Sequence, residues 1–339
     1  MKKAWLVLII LLLAGCLVAA TELIGSSAKP SQNQTSLSLA LDWTPNTNHT
    51  GIYVALAKGW YKQAGIKLNL LPYSASVSAD QLVASGKADL GISSTESIVT
   101  DAGAGTPVVS VAAIIAHNTS VLAVRQDSGI TSPKQFDGKT YGGFGAAYES
   151  AVIGQVIKHA GGTGTFNNVT LDIDPVQALQ TKRVDFVWVF SGWEVIEAQR
   201  AGLRLTTFPI TQYGVPDYST PNIISSAAAI KAKNTLIRKF MATTARGYDY
   251  ATAHPAAAAQ ILINTAPKGS FPDPGLVRQS QAYLSPRYQD PGKPWGVQTA
   301  SSWHNYPQFM IDRQAVPDAS GKPIAKLDLN ALYTNQFLE

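Results

Sequence analysis

The sequence predicts an α/β fold of two lobes, each a mostly parallel sheet flanked by helices. Three observations carry that expectation. Apolar strands alternate with helices along most of the chain, the alternation runs through two successive blocks, and a segment of one block reads as a second version of a segment in the other. From Leu37 onward about 300 residues of ordinary globular composition remain, enough for two lobes of about 150 residues each.

In the first block Leu37, Leu39 and Leu41 alternate with smaller or polar residues and predict a strand. Thr50 to Lys58 then reads as a short helix closed by Gly59. Ile66, Leu68 and Leu70 alternate again, and Ser78-Ala79-Asp80-Gln81 has the capping-box pattern of a helix start. Leu90 to Ile92 and Val108 to Ile115 are further strands, separated by a helix from Glu96 to Ala104. The second block repeats this order. Strands are expected near Thr140 to Gly142, Val169 to Ile173, Asp185 to Val189 and Leu203 to Thr206, with helices over Tyr148 to Ala160 and Trp193 to Arg200. Gly86 to Glu96 and Lys182 to Glu194 look like copies of one unit: an Asp before an apolar strand, a turn of small residues, then an acid at a helix start. Beyond Asn222 the chain reads as helical. Leu236, Ile237, Phe240, Met241, Thr244 and Tyr248 share one face, and His254-Pro255 breaks the run. The expected division is 37–122 with 223–339 as lobe one and 123–222 as lobe two, with hinges near Val121 to Arg125 and Thr220 to Ile224.

The first residues carry a different signal. Lys2 and Lys3 precede an apolar run from Ala4 to Leu13, and Leu13-Ala14-Gly15-Cys16 ends in small residues before a cysteine. This is the pattern of a secretory signal (1–15) followed by a lipidation site at Cys16. Cys16 is also the one cysteine of the chain, so no internal disulfide and no cysteine-based metal site can form. Ser26 to Ser36, polar and with Pro30, reads as a flexible tether, so that 16–36 joins a lipid anchor to the globular part. The expectation is an extracytoplasmic, membrane-anchored monomer. The formal charge of +5 falls by the two charges of Lys2 and Lys3, to about +3, and no basic cluster suited to nucleic acid is present.

In open α/β sheets ligands lie outside the carboxyl ends of the strands. The residues that follow the predicted strands are therefore the candidates. Asp42 to Gly51, after the first strand, is dense in amide, hydroxyl, imidazole and indole groups. Gly142 to Tyr148 is a glycine-rich turn before a helix, taken as the ligand-facing loop of lobe two. The binding set expected from these loops is Trp43, Asn46, His49, Tyr148, Glu149, Trp193, Glu194 and Tyr218. Each has a plainer alternative: His49 and Asn46 as caps, Glu149 and Glu194 as first-turn acids complementing a helix N-terminus, Trp193 as core. Trp60 and Tyr61 are expected to be structural.

The run Leu41-Asp42-Trp43-Thr44-Pro45-Asn46-Thr47-Asn48-His49-Thr50-Gly51-Ile52-Tyr53, followed by Gly59-Trp60-Tyr61, resembles the opening of substrate-binding proteins of the NMT1/THI5-like family. Phe190-Ser191-Gly192-Trp193-Glu194 and Tyr213-Gly214-Val215-Pro216-Asp217-Tyr218 resemble the members assigned to thiamine pyrimidine precursors. The resemblance implies the two-lobed periplasmic-binding-protein fold (type II), an ABC permease and ATPase as partners, and capture of a small molecule between the lobes. Members of this family bind sulfonates, nitrate or riboflavin elsewhere, so the residues must choose the ligand. A sulfonate or nitrate wants Arg, Lys or an open helix N-terminus, and the candidate set contains neither Arg nor Lys. Indole and phenol rings with carboxylates suit a flat, neutral or weakly basic heteroaromatic bearing an exocyclic amine. Formylaminopyrimidine or hydroxymethylpyrimidine fits best, with Glu194 as the specificity residue and Trp43 as the stacking one; riboflavin is the alternative. The family also contains a fungal pyrimidine synthase that relies on a histidine and a cysteine-rich motif. His49 stands at a comparable place, but that motif is missing, as are nucleophile-elbow, zinc-protease and Walker sequences. No enzyme activity, metal or cofactor is expected.

Overall fold

Alternation of Leu37 and Leu39 with small polar residues makes an extended segment whose two leucines are fully buried, and this is the first strand, β1 (Thr35–Ala40). The computed structural model describes residues 34–338, so the export signal, Cys16 and most of the tether lie outside the described residues. β1 starts two residues before Leu37, taking Thr35 and Ser36 from the expected tether.

The first block continues as α1 (Thr50–Ala57), α2 (Trp60–Gln63), β2 (Ile66–Leu71), α3 (Ala79–Ala84), β3 (Leu90–Ser93), α4 (Thr95–Gly103) and β4 (Val109–Ala113). The second holds β5 (Ser120–Arg125), β6 (Thr140–Gly143), α5 (Ala147–His159), β7 (Asn167–Thr170), α6 (Pro175–Gln180), β8 (Phe186–Phe190), α7 (Glu194–Arg200) and β9 (Leu205–Pro209). The chain returns through β10 (Asn222–Ser225) and ends in α8 (Ala227–Ala232), α9 (Asn234–Ala253), α10 (Pro255–Thr265), α11 (Pro274–Leu284) and α12 (Ala300–Asp312).

Two five-stranded sheets result, ordered β2-β1-β3-β10-β4 and β7-β6-β8-β5-β9. The orders are equivalent position by position. In each, four strands run one way and a single strand, β10 or β5, runs against its neighbours. Those two reversed strands are the segments expected to be hinges. They are instead buried, hydrogen-bonded strands, and the chain passes between the sheets through 114–119 and 210–221. The continuous apolar run Val121-Leu122-Ala123-Val124, covered on both faces, is the reason that β5 cannot be a flexible crossing.

The suspected duplication has a structural basis. Asp89, before β3, accepts from the backbone N of Ser38 on the neighbouring strand β1 (2.9 Å), and Asp185, before β8, accepts from Thr140 N on β6 (2.8 Å). The two carboxylates pin equivalent strand pairs.

The C-terminal helices complete the first sheet's layer. α9 buries Ile237, Phe240, Met241, Thr244 and Tyr248, as the spacing predicts, and crosses α1 where Gly247 meets Gly51. A Cβ on Gly247 would fall inside the Gly51 carbonyl, so backbone meets backbone there and no side chain fits. Trp60 and Tyr61 are structural, as expected. Tyr61 stacks on Phe240 at 5.4 Å and its hydroxyl meets that of Thr244 at 2.7 Å, while Arg246 and Lys58 lie over the Trp60 ring.

Candidate functional site

The loop after β1 is built by its own polar groups. Asn46 Oδ1 accepts from Asn48 N (2.8 Å), and its amide donates to the Thr44 carbonyl. His49 is fully buried: Nδ1 accepts from Asn46 N (3.3 Å) while Nε2 faces Asp42 Oδ1 (2.9 Å), which fixes the tautomer with the proton on Nε2. The next groups point to the C-terminal helices. Thr47 Oγ1 meets Ser280 Oγ (2.5 Å), Thr50 donates to Gln281 Oε1 (2.6 Å), and the hydroxyls of Tyr248 and Tyr288 donate to the carbonyls of Asn48 and Thr47. Asn46 and His49 therefore cap the short helical turn that opens α1. The wealth of donors and acceptors that marked this loop fastens it to α9 and α11.

Glu149 meets the same fate in the second sheet. Its buried carboxylate accepts from the backbone N of Phe144 (3.0 Å), Gly145 (2.9 Å) and Ala146 (2.9 Å) and from the Tyr141 hydroxyl (2.7 Å). Gly145 turns with φ of +80°, which brings successive N–H groups onto one anion. The glycine turn is thus an anion site whose anion is the chain's own side chain. Three backbone N–H groups of the turn and the Tyr141 hydroxyl are thereby committed to Glu149.

What faces outward at the strand ends is aromatic. Trp43, after β1, is 48% exposed and leans on Tyr73 with ring centroids 4.6 Å apart. Phe144, after β6, is 56% exposed, and Phe190, ending β8, is 37% exposed. β1 and β6 occupy equivalent sheet positions, so Trp43 and Phe144 both lie in the loops that follow equivalent strands. Neither Phe144 nor Phe190 was in the expected set. Phe190 is the last residue of the apolar strand β8 and Phe144 follows β6 directly, and in both places an aromatic reads as a continuation of the core.

The remaining expected residues divide. Glu194 sits at the start of α7 with Oε2 accepting from Phe190 N (2.9 Å), and burial first, then the Asp174 charge, pushes its carboxyl up to about 7 despite the opposing backbone hydrogen bonds. Trp193 is half-buried and packs toward Phe271 (6.5 Å) beside the α10 and α11 helices, closer to its core alternative. Tyr148 is half-buried, set edge-on to Trp188 at 6.2 Å, and burial raises its hydroxyl, with Glu96 and Glu149 adding to the effect. Tyr218 is buried, stacked on Tyr306 at 3.6 Å, and donates to Glu96 Oε1.

Glu96, at the start of α4, was noticed only as part of the repeated unit. Burial pushes its carboxyl above the usual range, against the Tyr218 hydrogen bond. Nearby, Asp80 accepts from Ser93 (2.5 Å) and lies beside Asp101; burial, with the closeness of the two carboxyls, holds a proton on the pair above the usual carboxylate range. The loops at the strand ends, 41–46, 72–78, 93–96, 143–149 and 190–194, contain no Arg or Lys. Among the described residues, no group of three or more His, Cys, Asp or Glu could hold a metal ion.

Two cavities of about 370 and 350 Å³ lie elsewhere, beside the segments that pass between the sheets. Both are lined by His117, Gln289 and Asp290, and by none of the eight expected binding residues. His117 Nδ1 meets Asp217 (2.5 Å) and Nε2 meets Asp290 (2.7 Å), so one imidazole ties both passing segments to the stretch after α11.

The family described as NMT1/THI5 like matches residues 46–258. A formylaminopyrimidine-binding protein of Halalkalibacterium halodurans is 25% identical over 303 residues, covering 88% of this chain and 89% of the relative. The riboflavin-binding protein RibY of Chloroflexus aurantiacus is 25% identical over 98% of this chain and 96% of its own. A 4-amino-5-hydroxymethyl-2-methylpyrimidine phosphate synthase of Aspergillus parasiticus is 23% identical over 88% and 85%. The periplasmic aliphatic sulphonate binding protein SsuA of Escherichia coli superposes with a TM-score of 0.64 at 14% identity, over 88% of this chain and 91% of that one. The shared fold is the two-lobed α/β fold of periplasmic binding proteins.

Proposed function

Because this chain belongs to the NMT1/THI5-like family, we propose that it is the solute-binding component of an ABC importer and captures a pyrimidine precursor of thiamine, formylaminopyrimidine or hydroxymethylpyrimidine, between its two lobes. The observation that carries this reading is the chemistry at the strand ends: exposed Trp43, Phe144 and Phe190, with the buried carboxyl of Glu96 and the half-buried one of Glu194 at the following helix starts and no cation in the surrounding loops. Aromatic faces stack on a flat ring and a carboxyl accepts from its amine. A sulfonate would find no positive partner, since the turn before α5 already holds Glu149. The formylaminopyrimidine-binding relative, alike over most of both chains, supports the same ligand class.

In this reading the ligand bridges 123–222 and the lobe made of 37–122 with 223–339, and shifts an open and closed equilibrium toward closed. In the same reading, export through the signal of 1–15 and lipidation of Cys16 hold the monomeric chain outside the membrane, where a permease receives the cargo and its ATPase drives import from the cytoplasmic side. Binding without catalysis is supported by the single cysteine, which leaves no cysteine-rich motif, and by the commitment of His49 to Asp42. Riboflavin remains a second reading because of the RibY likeness and the stacking surface.

The test is a thermal-unfolding scan of the intact chain with each candidate at about a hundred times its dissociation constant. A ligand that binds only the native state then adds about 2.7 kcal/mol. A rise in the midpoint of several degrees with either pyrimidine, and none with riboflavin, supports the reading. The reverse pattern replaces the ligand and keeps transport.

A further inference from the structure

We propose that α11 clasps the two ligand-facing loops together and so sets how long a captured molecule is held, without touching it. Ser280 ties the loop after β1 to the loop after β8, and an ion pair between Arg200 and Asp273 locks the far end of the same contact. The inference rests on capture between the lobes and not on which ring is captured.

The contact joins parts of the chain that belong to different sheets. α7 follows β8 and lies on the second sheet, while α11 packs on α10 and on the turn before α1, in the helical layer of the first. The two helices pass with opposite chain sense: Gly192, just before α7, meets Leu284 at the end of α11, and Arg200, ending α7, meets Gly275 at its start. A Cβ on Gly192 would come within 2.8 Å of a Leu284 methyl, and one on Gly275 within 2.2 Å of the Arg200 guanidinium. Both glycines are therefore what lets the surfaces approach.

Three kinds of interaction hold the surfaces. The fully buried Ser280 hydroxyl donates to the Gly192 carbonyl and lies 2.5 Å from the Thr47 hydroxyl. Its one proton is given to Gly192, so it receives that of Thr47, and the chain of hydroxyls runs in one direction from one loop to the other. Trp193, from the second sheet, packs against a cluster in the first sheet's layer that includes Tyr53, Leu262 and Val277. At the far end Arg200 Nε and Nη2 donate to the two oxygens of Asp273 (2.5 and 2.8 Å), a bidentate pair. Asp273 Oδ1 also accepts from Gly275 N (2.9 Å), so its own helix orients the carboxylate toward the arginine. The Gly192 end is beside a passing segment, since Ser191 N donates to the Thr119 carbonyl (3.0 Å). The ion pair stands the length of α11 away, about 16 Å for its turns. Rotation of the lobes about the passing segments therefore parts the surfaces most at Arg200 and Asp273, and contacts made only in the closed arrangement favour it.

Stopped-flow release of hydroxymethylpyrimidine from the intact chain tests this, with riboflavin as the probe if that is the ring the chain binds. Arg200→Gln, and Asp273→Asn, which keeps the helix cap, should each speed release about threefold with little change in association, the size expected of a half-exposed pair. The double variant should release no faster than either single one, because each removes the same interaction. Ser280→Ala, which strands a buried hydroxyl and a carbonyl, should speed release about tenfold. If Ser280→Ala does not fold, the two ion-pair variants decide alone. A lower urea midpoint with unchanged release means that the contact is permanent packing, present in open and closed forms alike, and overturns the proposal. So does a double variant whose effect is the product of the single ones. A wild type that takes up neither ring sinks the ligand assignment and leaves the clasp to small-angle scattering. There a larger radius of gyration in Arg200→Gln than in the wild type supports the clasp, and an equal one overturns it.

Discussion

Trp43 and Glu149 show at the residue scale how differently two candidates from similar loops are used. Trp43 keeps nearly half its surface in solvent and touches Tyr73 alone among aromatic rings, so its removal leaves the fold intact. Trp43→Ala is expected to weaken pyrimidine binding about tenfold, or ~1.4 kcal/mol, with an unchanged urea midpoint; calorimetry and denaturation together check it. Glu149 is the opposite case. Glu149→Ala strands three backbone N–H groups and the Tyr141 hydroxyl, and should cost about 3 kcal/mol of stability in urea denaturation. The sequence showed that Glu149 and Glu194 both stand in the first turn of a helix. It could not show that one carboxylate gathers three backbone donors and a hydroxyl from the turn before it while the other accepts from Phe190 N. That distinction depends on how the preceding turn folds back, which Gly143 and Gly145 decide.

At the scale of elements, patterns repeated over several residues were the most legible. The α9 face, the β1 alternation and the capping box of Ser78 and Gln81 all stand where spacing put them. Short strands without alternation were harder. β5 and β10 are covered on both faces, so their sequences carry no face to read, and the sequence alone does not separate them from a crossing segment. β7 was expected from Val169 but runs over Asn167–Thr170, an exposed edge with little apolar content. The α1–α9 crossing yields a prediction at this scale. Gly247→Ala forces the two backbones apart and should cost at least about 3 kcal/mol, read as a fall in the urea midpoint, while Gly59→Ala, with open space around its Cβ, costs only its positive φ.

The whole molecule couples its sheets through charge as well as through chain. Carboxylates at both ring nitrogens raise the pKa of His117 above the ordinary imidazole value, the Asp217 hydrogen bond contributing most and Asp290 assisting. A histidine raised on folding stabilises fully below its unfolded pKa, and that contribution is lost as pH rises through the folded value. His117→Gln should therefore melt below the wild type at mildly acidic pH and approach it in alkali. Glu194 and Glu197, both pushed up to about 7 chiefly by burial, act in a lower window. Folding favours their protonated forms, so their effect reduces stability as pH climbs from about 4.5 toward 7. Melting curves of wild type, His117→Gln and Glu194→Gln across this range separate the contributions.

The glycine turn that wraps Glu149 bears on how the protein meets dissolved anions. A helix start ringed by free N–H groups would collect sulfate, phosphate and carboxylates indiscriminately. Here a tethered occupant already takes three of those N–H groups. If the exposed aromatic faces hold the proposed ligand, its dissociation constant read by calorimetry should change little between low and high salt, whereas steep weakening by salt would point to a charged contact.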